Sequence, residues 1–243
     1  MDPFILGECQ KRLLKSFLSL VARCIIVASF VADGVRCIQN CHFKSIQLNL
    51  TWNCGLYLAE LYLLLLGIVQ ILASILVVVQ KEKFLATGML WLAAHIRLVT
   101  NPLLWSISMY REVLGATSAL LLTMLKPRHQ VVISFLLATF LNWYELKDLL
   151  WEDLLWYFLG KSTMKPLLVY MMIGLKTKVS AFVVILLMTA HCFHVHAFWQ
   201  VPIAHEFMDI RELMVFQFWN EVTVIGGLFF SAIHSKHRFE NIF

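Results

Sequence analysis

Residues 55–79 read GLYLAELYLLLLGIVQILASILVVV. Glu60 is the only charged residue in the stretch, and no proline interrupts it. A helix rises about 1.5 Å per residue and a bilayer's hydrocarbon core is about 30 Å thick, so roughly 20 such residues cross it. This run predicts a transmembrane helix, and the composition of the rest of the chain agrees. Of 243 residues, 60% are hydrophobic and 14% charged, against about 45–50% and about 25% in soluble domains. The mean hydropathy is +0.76. Too little polar surface exists to coat a water-soluble body. A disordered protein, a basic nucleic-acid-binding domain and an ordinary cytosolic enzyme are excluded. Five prolines and ten glycines leave little material for linkers.

Working outward, candidate spans lie at 17–38, 55–79, 84–106, 112–125, 131–150, 164–175, 179–199 and 213–234. Those at 112–125 and 164–175 are short. The Trp- and Leu-rich stretch 149–160 suits an interfacial helix or part of a span. The expected fold is an all-α, polytopic transmembrane bundle of about 6–8 spans. It forms one membrane-embedded domain over 1–243, with a cytosolic segment at 1–16 and a cytosolic tail at 235–243. The first apolar run contains Arg23 and has no small-residue cleavage site, so it reads as a retained span. Basic residues cluster before the first span (Lys11, Arg12, Lys15) and after the second (Lys81, Lys83), fourth (Lys126, Arg128), sixth (Lys176, Lys178) and eighth (Lys236, Arg238). The intervening connections are mixed or acidic. If all eight segments cross, the positive-inside rule places both termini in the cytosol. The charge of +5 is then an orientation signal and calls for no nucleic acid.

Polar residues at the ends opposite the basic clusters carry the candidate chemistry. Asp33 and Arg36 are three apart, share a helix face and can pair. They suit either a helix-end ion pair or the wall of a polar cavity. Thr51-Trp52-Asn53-Cys54-Gly55 enters the second span, where Thr or Asn can cap a helix and Trp suits the interface. Cys37, Cys41 and Cys54 share that side, which permits one disulfide among them. Asn49-Leu50-Thr51 is a glycosylation acceptor pattern close to the membrane. His191, His194 and His196 crowd one segment with Cys192 beside them, but in a continuous helix the three histidines do not converge. No metal site is expected there. Arg23, Glu60, His95, Arg97 and Glu221 are ionisable residues at membrane depth, candidates for a solute or proton path. Gly226-Gly227 suits close helix packing. No phosphate loop, serine elbow or paired-carboxylate motif occurs. The chain is expected not to be an enzyme and to hold no cofactor.

Several strings resemble the surfeit-locus-four family of membrane cargo receptors. They are Ala22-Arg23-Cys24, the stretch Phe30-Val31-Ala32-Asp33-Gly34-Val35-Arg36, and Thr51-Trp52-Asn53-Cys54-Gly55. Further along come Gly174-Leu175-Lys176-Thr177-Lys178, Ala197-Phe198-Trp199-Gln200-Val201-Pro202, Met208-Asp209 and Val224-Ile225-Gly226-Gly227. They fall in family order over most of the chain, with a divergent middle at about 111–166.

The resemblance implies a multi-pass protein of the endoplasmic reticulum membrane. It would bind soluble secretory proteins on the lumenal side, load them into COPII vesicles and cycle through the intermediate compartment and Golgi. By resemblance, Asp33, Arg36, Trp52, Asn53, Phe198, Trp199, Pro202 and Asp209 become cargo-binding candidates, with Asp33 or Asp209 meeting the cargo's terminal amine. His191, His194 and His205 are candidates for a pH switch that releases cargo. Family members end in a dilysine signal for the COPI coat. This chain carries Glu240 and Asn241 there and ends in Ile242-Phe243, an apolar pair of the kind that can engage COPII. Such a departure fits a divergent member. The competing classes are a small-solute or proton-coupled transporter and a membrane redox protein.

Overall fold

The computed structural model describes residues 3–125, 129–142, 163–173, 177–202 and 208–234. Among them the chain forms α-helices and short 3-10 turns, with no strand. The helices are α1 (Pro3–Gln39), α2 (Cys41–Trp52), α3 (Leu56–Val79), α4 (Lys83–Thr100) and α5 (Ile107–Met124). They continue as α6 (His129–Asn142), α7 (Met164–Ile173), α8 (Thr177–Val195) and α9 (Met208–His234).

The stretch that announces the fold becomes α3, and its two faces are inverted relative to a soluble helix. Leu58, Leu61, Leu65, Ile68, Leu72 and Ile75 alternate at three- and four-residue spacing and are all exposed. The opposite face buries Ala59, Gly67, Gln70, Ala73 and Ser74. Many large aliphatics face outward, while small and polar residues join Leu63, Leu66 and Val77 on the inward face, as expected where lipid is the solvent and close packing holds helices together. Among the described residues, four segments are long and apolar enough to cross a membrane: Gln10–Gln39, Leu56–Val79, Lys178–Gln200 and Met208–His234. Gln130–Leu141 and Met164–Ile173 are apolar but shorter.

Several boundaries differ from those expected. The span at 84–106 stops at Thr100. Asn101 precedes Pro102, which disfavours helical backbone at that position, and it turns extended (φ −103°, ψ 107°). The Asn101 Oδ1 accepts from Leu103 N–H in the 3-10 turn Pro102–Leu104. Ser106 then caps α5, its Oγ accepting from Met109 N–H at 3.2 Å, so α5 starts five residues before the expected 112. The first span's expected end at residue 38 agrees with α1, which stops at Gln39, but the connection that follows it is helical and forms α2. The stretch 149–160 lies outside the described residues.

At the centre, α9 packs antiparallel on α1 and α8 and parallel on α5. The α1–α3 crossing is close. A Cβ on Gly34 would meet the Gly67 carbonyl oxygen at 2.9 Å, and one on Gly67 would meet that of Gly34 at 2.9 Å. Two glycines thus let the backbones touch. The same device serves α1 and α9, where a Cβ on Gly226 would meet the Ile26 amide at 2.9 Å. Ile26, Leu90, Leu120, Phe135, Leu168, Met188 and Leu228 form the buried centre.

This topology gives the bundle two unlike ends. One gathers the last turns of α1, α4 and α8 with the first of α3, α5 and α9. It is called the mouth end below. The opposite end gathers Lys11, Arg12 and Lys15 of α1, the α3–α4 turn with Lys81 and Lys83, and Lys178 at the start of α8. Arg23 belongs to that end. Its Nη1 donates to the Val78 carbonyl at 3.2 Å, one of the last carbonyls of α3, which lack helical partners.

Candidate functional site

At the mouth end the helix ends splay around a cavity of about 290 Å³. Leu48, Leu63, Leu66 and Leu103 line it with Tyr62, Thr100, Lys44, Gln47, Arg97, Asp209 and Glu212. One wall is α2, held against the start of α9 by two contacts in register. Lys44 Nζ lies 3.3 Å from Glu212 Oε1, and Gln47 Nε2 donates to Asp209 Oδ1 at 3.0 Å. Both pairs are three residues apart in their helices, so each pair presents one face. Tyr62 Oη and Thr100 Oγ1 are 3.0 Å apart and join α3 to α4 at the rim.

The motif Thr51–Gly55 builds the α2–α3 corner. Asn53 takes left-handed backbone (φ 49°, ψ 37°) and ends α2, its N–H bonding Asn49 O. Gly55 follows at φ 86°, a conformation that costs glycine little. Asn53 therefore terminates α2 and does not cap the following span, where Gly55 stands at the first position without a side-chain cap. Asn49 Oδ1 accepts from Gly55 N–H at 2.7 Å, so the acceptor asparagine of the glycosylation pattern is itself part of the corner. Trp52 Nε1 donates to Thr100 O at 3.0 Å, and its ring meets Trp105 edge-on, with centroids 6.2 Å apart. This aromatic pair ties the corner to the end of α4.

Below the cavity lies a buried charged group. Asp33 of α1 pairs through Oδ1 with Arg97 Nη1 of α4 and with Arg36 Nη2 at 3.3 Å. Its Oδ2 accepts from Gln70 Nε2 of α3 at 3.1 Å. The Gly34–Gly67 contact brings α1 and α3 close enough for that bond. The Arg97 guanidinium also lies over the Phe216 ring, 5.4 Å from its centroid. Asn220 and Trp219 of α9 close the group, around a space of about 20 Å³, roughly one water. Asp33 is thus neutralised in place, while Glu212, paired with Lys44, and Asp209, bonded by Gln47, line the cavity.

A second polar cluster lies on another side of α9. Successive helical residues point about 100° apart, so Asn220 faces the Asp33 group while Glu221 faces α8. His191 Nδ1 lies 3.0 Å and 3.3 Å from the two Glu221 oxygens. His196 Nε2 lies 3.3 Å from Glu221 Oε2. The expectation that these histidines do not converge is corrected for His191 and His196. That reading assumed a continuous helix, whereas α8 ends at Val195 and the chain turns at His196, folding the second ring back. His194 is exposed, and His205 lies outside the described residues. His191, His196 and Glu221 offer three ligand atoms within 4.8 Å of one another.

The eight cargo-binding candidates divide by place. Asp209 lines the mouth cavity, and Trp52 and Asn53 build its corner. Asp33 and Arg36 lie beneath it. Phe198 and Trp199 form a 3-10 turn stacked on Phe218, with centroids 5.4 Å and 6.0 Å away. Pro202 follows that turn, exposed. None of these last three lines the mouth. Cys37, Cys41 and Cys54 are free thiols, and Cys41 Sγ donates to Glu60 O at 3.6 Å. Lys44, Gln47, Tyr62, Gln70 and Glu212 were not anticipated. Gln70 alone carries a signal, as an amide in the middle of an apolar span.

A sequence profile of the SURF4 family matches residues 7–138 and 124–235. The chain is similar to a curated protein of Drosophila melanogaster, the "Surfeit locus protein 4 homolog". The two are 23% identical over 239 residues, 88% of this chain and 84% of that protein. No solved structure matches.

Proposed function

The chain belongs to the SURF4 family, and on that premise we propose that it is a cargo receptor of the early secretory pathway. It binds soluble secretory proteins on the lumenal face of the endoplasmic reticulum membrane and accompanies them toward the Golgi in COPII vesicles. The mouth cavity carries this reading. It pairs an aliphatic wall (Leu48, Leu63, Leu66, Leu103) with two carboxylates, Asp209 and Glu212, at its opening. A space of about 290 Å³ admits one or two side chains of an extended segment and excludes a folded surface. A cargo N-terminus supplies such side chains together with an ammonium for the carboxylates. The lysine clusters at 11–15, 81–83 and 178 lie at the opposite end, so the positive-inside rule turns the mouth toward the lumen.

The test is capture in cells. Proximity labelling and cross-linking should recover soluble secretory proteins with the wild-type chain. Asp209→Asn with Glu212→Gln should lower recovery at least about tenfold, the scale of one lost charged hydrogen bond, with membrane levels unchanged. Recovery of no lumenal protein, with secretion normal in cells lacking the chain, would sink the proposal.

A proton-coupled or solute transporter is the second reading, favoured by the buried Asp33–Arg97 pair, since intramembrane charges mark transport paths. Its groups are dispersed, however. Arg23 holds the end of α3, Glu60 lies 2.9 Å from His42, and Glu221 holds two histidines. Gradient-driven uptake into proteoliposomes, lost in Arg97→Leu, would favour it over the receptor.

A further inference from the structure

We propose that His191, His196 and Glu221 form a binding site for one divalent first-row transition-metal ion, of which zinc is the best match. The donor set is two imidazole nitrogens and one carboxylate, from side chains 9–14% exposed. A tetrahedral ion with bonds of about 2.0–2.2 Å holds its ligand atoms roughly 3.4 Å apart. Two of the three edges already have that length and share one oxygen: Glu221 Oε2 lies 3.3 Å from His191 Nδ1 and 3.3 Å from His196 Nε2. The third edge lies within 4.8 Å. The imidazole rings are edge-to-face, with centroids 5.6 Å apart, so the nitrogens converge without the rings stacking.

A second carboxylate stands beside this triad. Glu112 of α5 is held by Gln217 Nε2, which donates to its Oε1 at 3.1 Å. Gln217 and Glu221 are one turn apart on α9 and share a face. Glu112 and Glu221 lie within electrostatic reach of each other. Glu112 Oε2 is buried, with no hydrogen-bond partner among the described residues. Glu112 is not one of the three converging ligands, and a divalent cation at the triad would offset the charge of Glu221. Mixed nitrogen and oxygen donors favour zinc and its first-row neighbours over magnesium or calcium, which prefer oxygen alone. Cys192, whose Sγ lies 3.6 Å from Phe218 O, is beside Glu221 but outside the converging set.

The ion would clamp the end of α8 to the middle of α9. It would hold the chain immediately before Phe198 and Trp199 in the turned conformation, so the aromatic cluster on Phe218 inherits its position from the clamp. Three protein ligands leave a fourth position for water.

The experiment uses the full chain purified in detergent, stripped with a chelator and titrated with Co²⁺ and Zn²⁺. One Co²⁺ per chain is expected, with the visible absorption of tetrahedral nitrogen and oxygen coordination, displaced by one Zn²⁺. His196→Ala should weaken binding about 100-fold, and His95→Ala should leave it unchanged. Zn²⁺ should also raise the thermal midpoint of the wild type, reversibly with chelator. That arm tests the site even if a variant does not fold. Absence of Co²⁺ uptake by the wild type would overturn the proposal. Equal binding by wild type and His196→Ala would do so as well.

Discussion

Asp33 shows how a single residue's role depends on its partners. By spacing it pairs with Arg36, and it does so at 3.3 Å. Its main partner, Arg97, is 64 residues away in sequence, and nothing in the chain's local pattern connects them. Removing the carboxylate strands a buried guanidinium, at a cost of about 3–5 kcal/mol. Asp33→Asn should therefore lower the thermal midpoint in detergent and the steady-state amount of protein. Asp33→Leu with Arg97→Leu should recover part of the loss, because an apolar pair replaces the ion pair while Arg36 and Gln70 lose the carboxylate they bond. A cargo contact at Asp33 would behave otherwise, with capture falling while stability holds. The histidines make a related point. His191 was visible as part of a cluster, but His196 became its companion only because α8 stops at Val195. Glu212 carried no local signal at all, since an acid in the first turns of a helix is ordinary.

At the scale of elements, α3 was readable almost to the residue, because its apolar run starts at a corner glycine and ends at Gln80, whose backbone turns left-handed (φ 63°). The α4 boundary was misjudged by hydropathy, which continues through Leu103 and Leu104 after the backbone has left the helix at Asn101. The short helix α2 was missed because Lys44, Gln47 and Asn49 make it read as a loop. Its polarity is the reason it works, since those residues hold the mouth. The contacts of glycines distinguish two roles. Gly67→Val should lower stability by about 1–3 kcal/mol, because the added atoms meet backbone that cannot yield. Gly88 of α4 has nothing within 4 Å of an added Cβ, so Gly88→Ala should raise stability by up to about 1 kcal/mol through helix propensity. Thermal unfolding of the two variants side by side measures the contrast.

For the whole molecule, composition already excluded a soluble body, and the outward-facing leucines of α3 agree with it. The sorting of charge is a molecular property too. Lys11, Lys15, Lys81, Lys83 and Lys178 gather at one end although they come from three separate stretches. Epitope tags at either terminus should be reachable by antibody after selective permeabilisation of the plasma membrane, while a tag in the α2–α3 corner should require permeabilisation of internal membranes. The reverse pattern would place the mouth in the cytosol and remove the receptor reading with it. What single-sequence reading could not give is the division of polar residues between a mouth, a buried ion-pair group and a histidine cluster. That division depends on which helices face each other.

The glycine contact between α1 and α3 also has a mechanical meaning. Gly67 is the twelfth of the 24 residues of α3, so the point where the backbones touch is close to the middle of the rod. A rod held near its centre works as a seesaw. Any tilt of α3 that moves Tyr62 and Leu63 away from the mouth swings Val78 the opposite way, against the Arg23 side chain that holds it. Such a tilt would register a displacement at one face of the membrane at the other without any element having to travel through it.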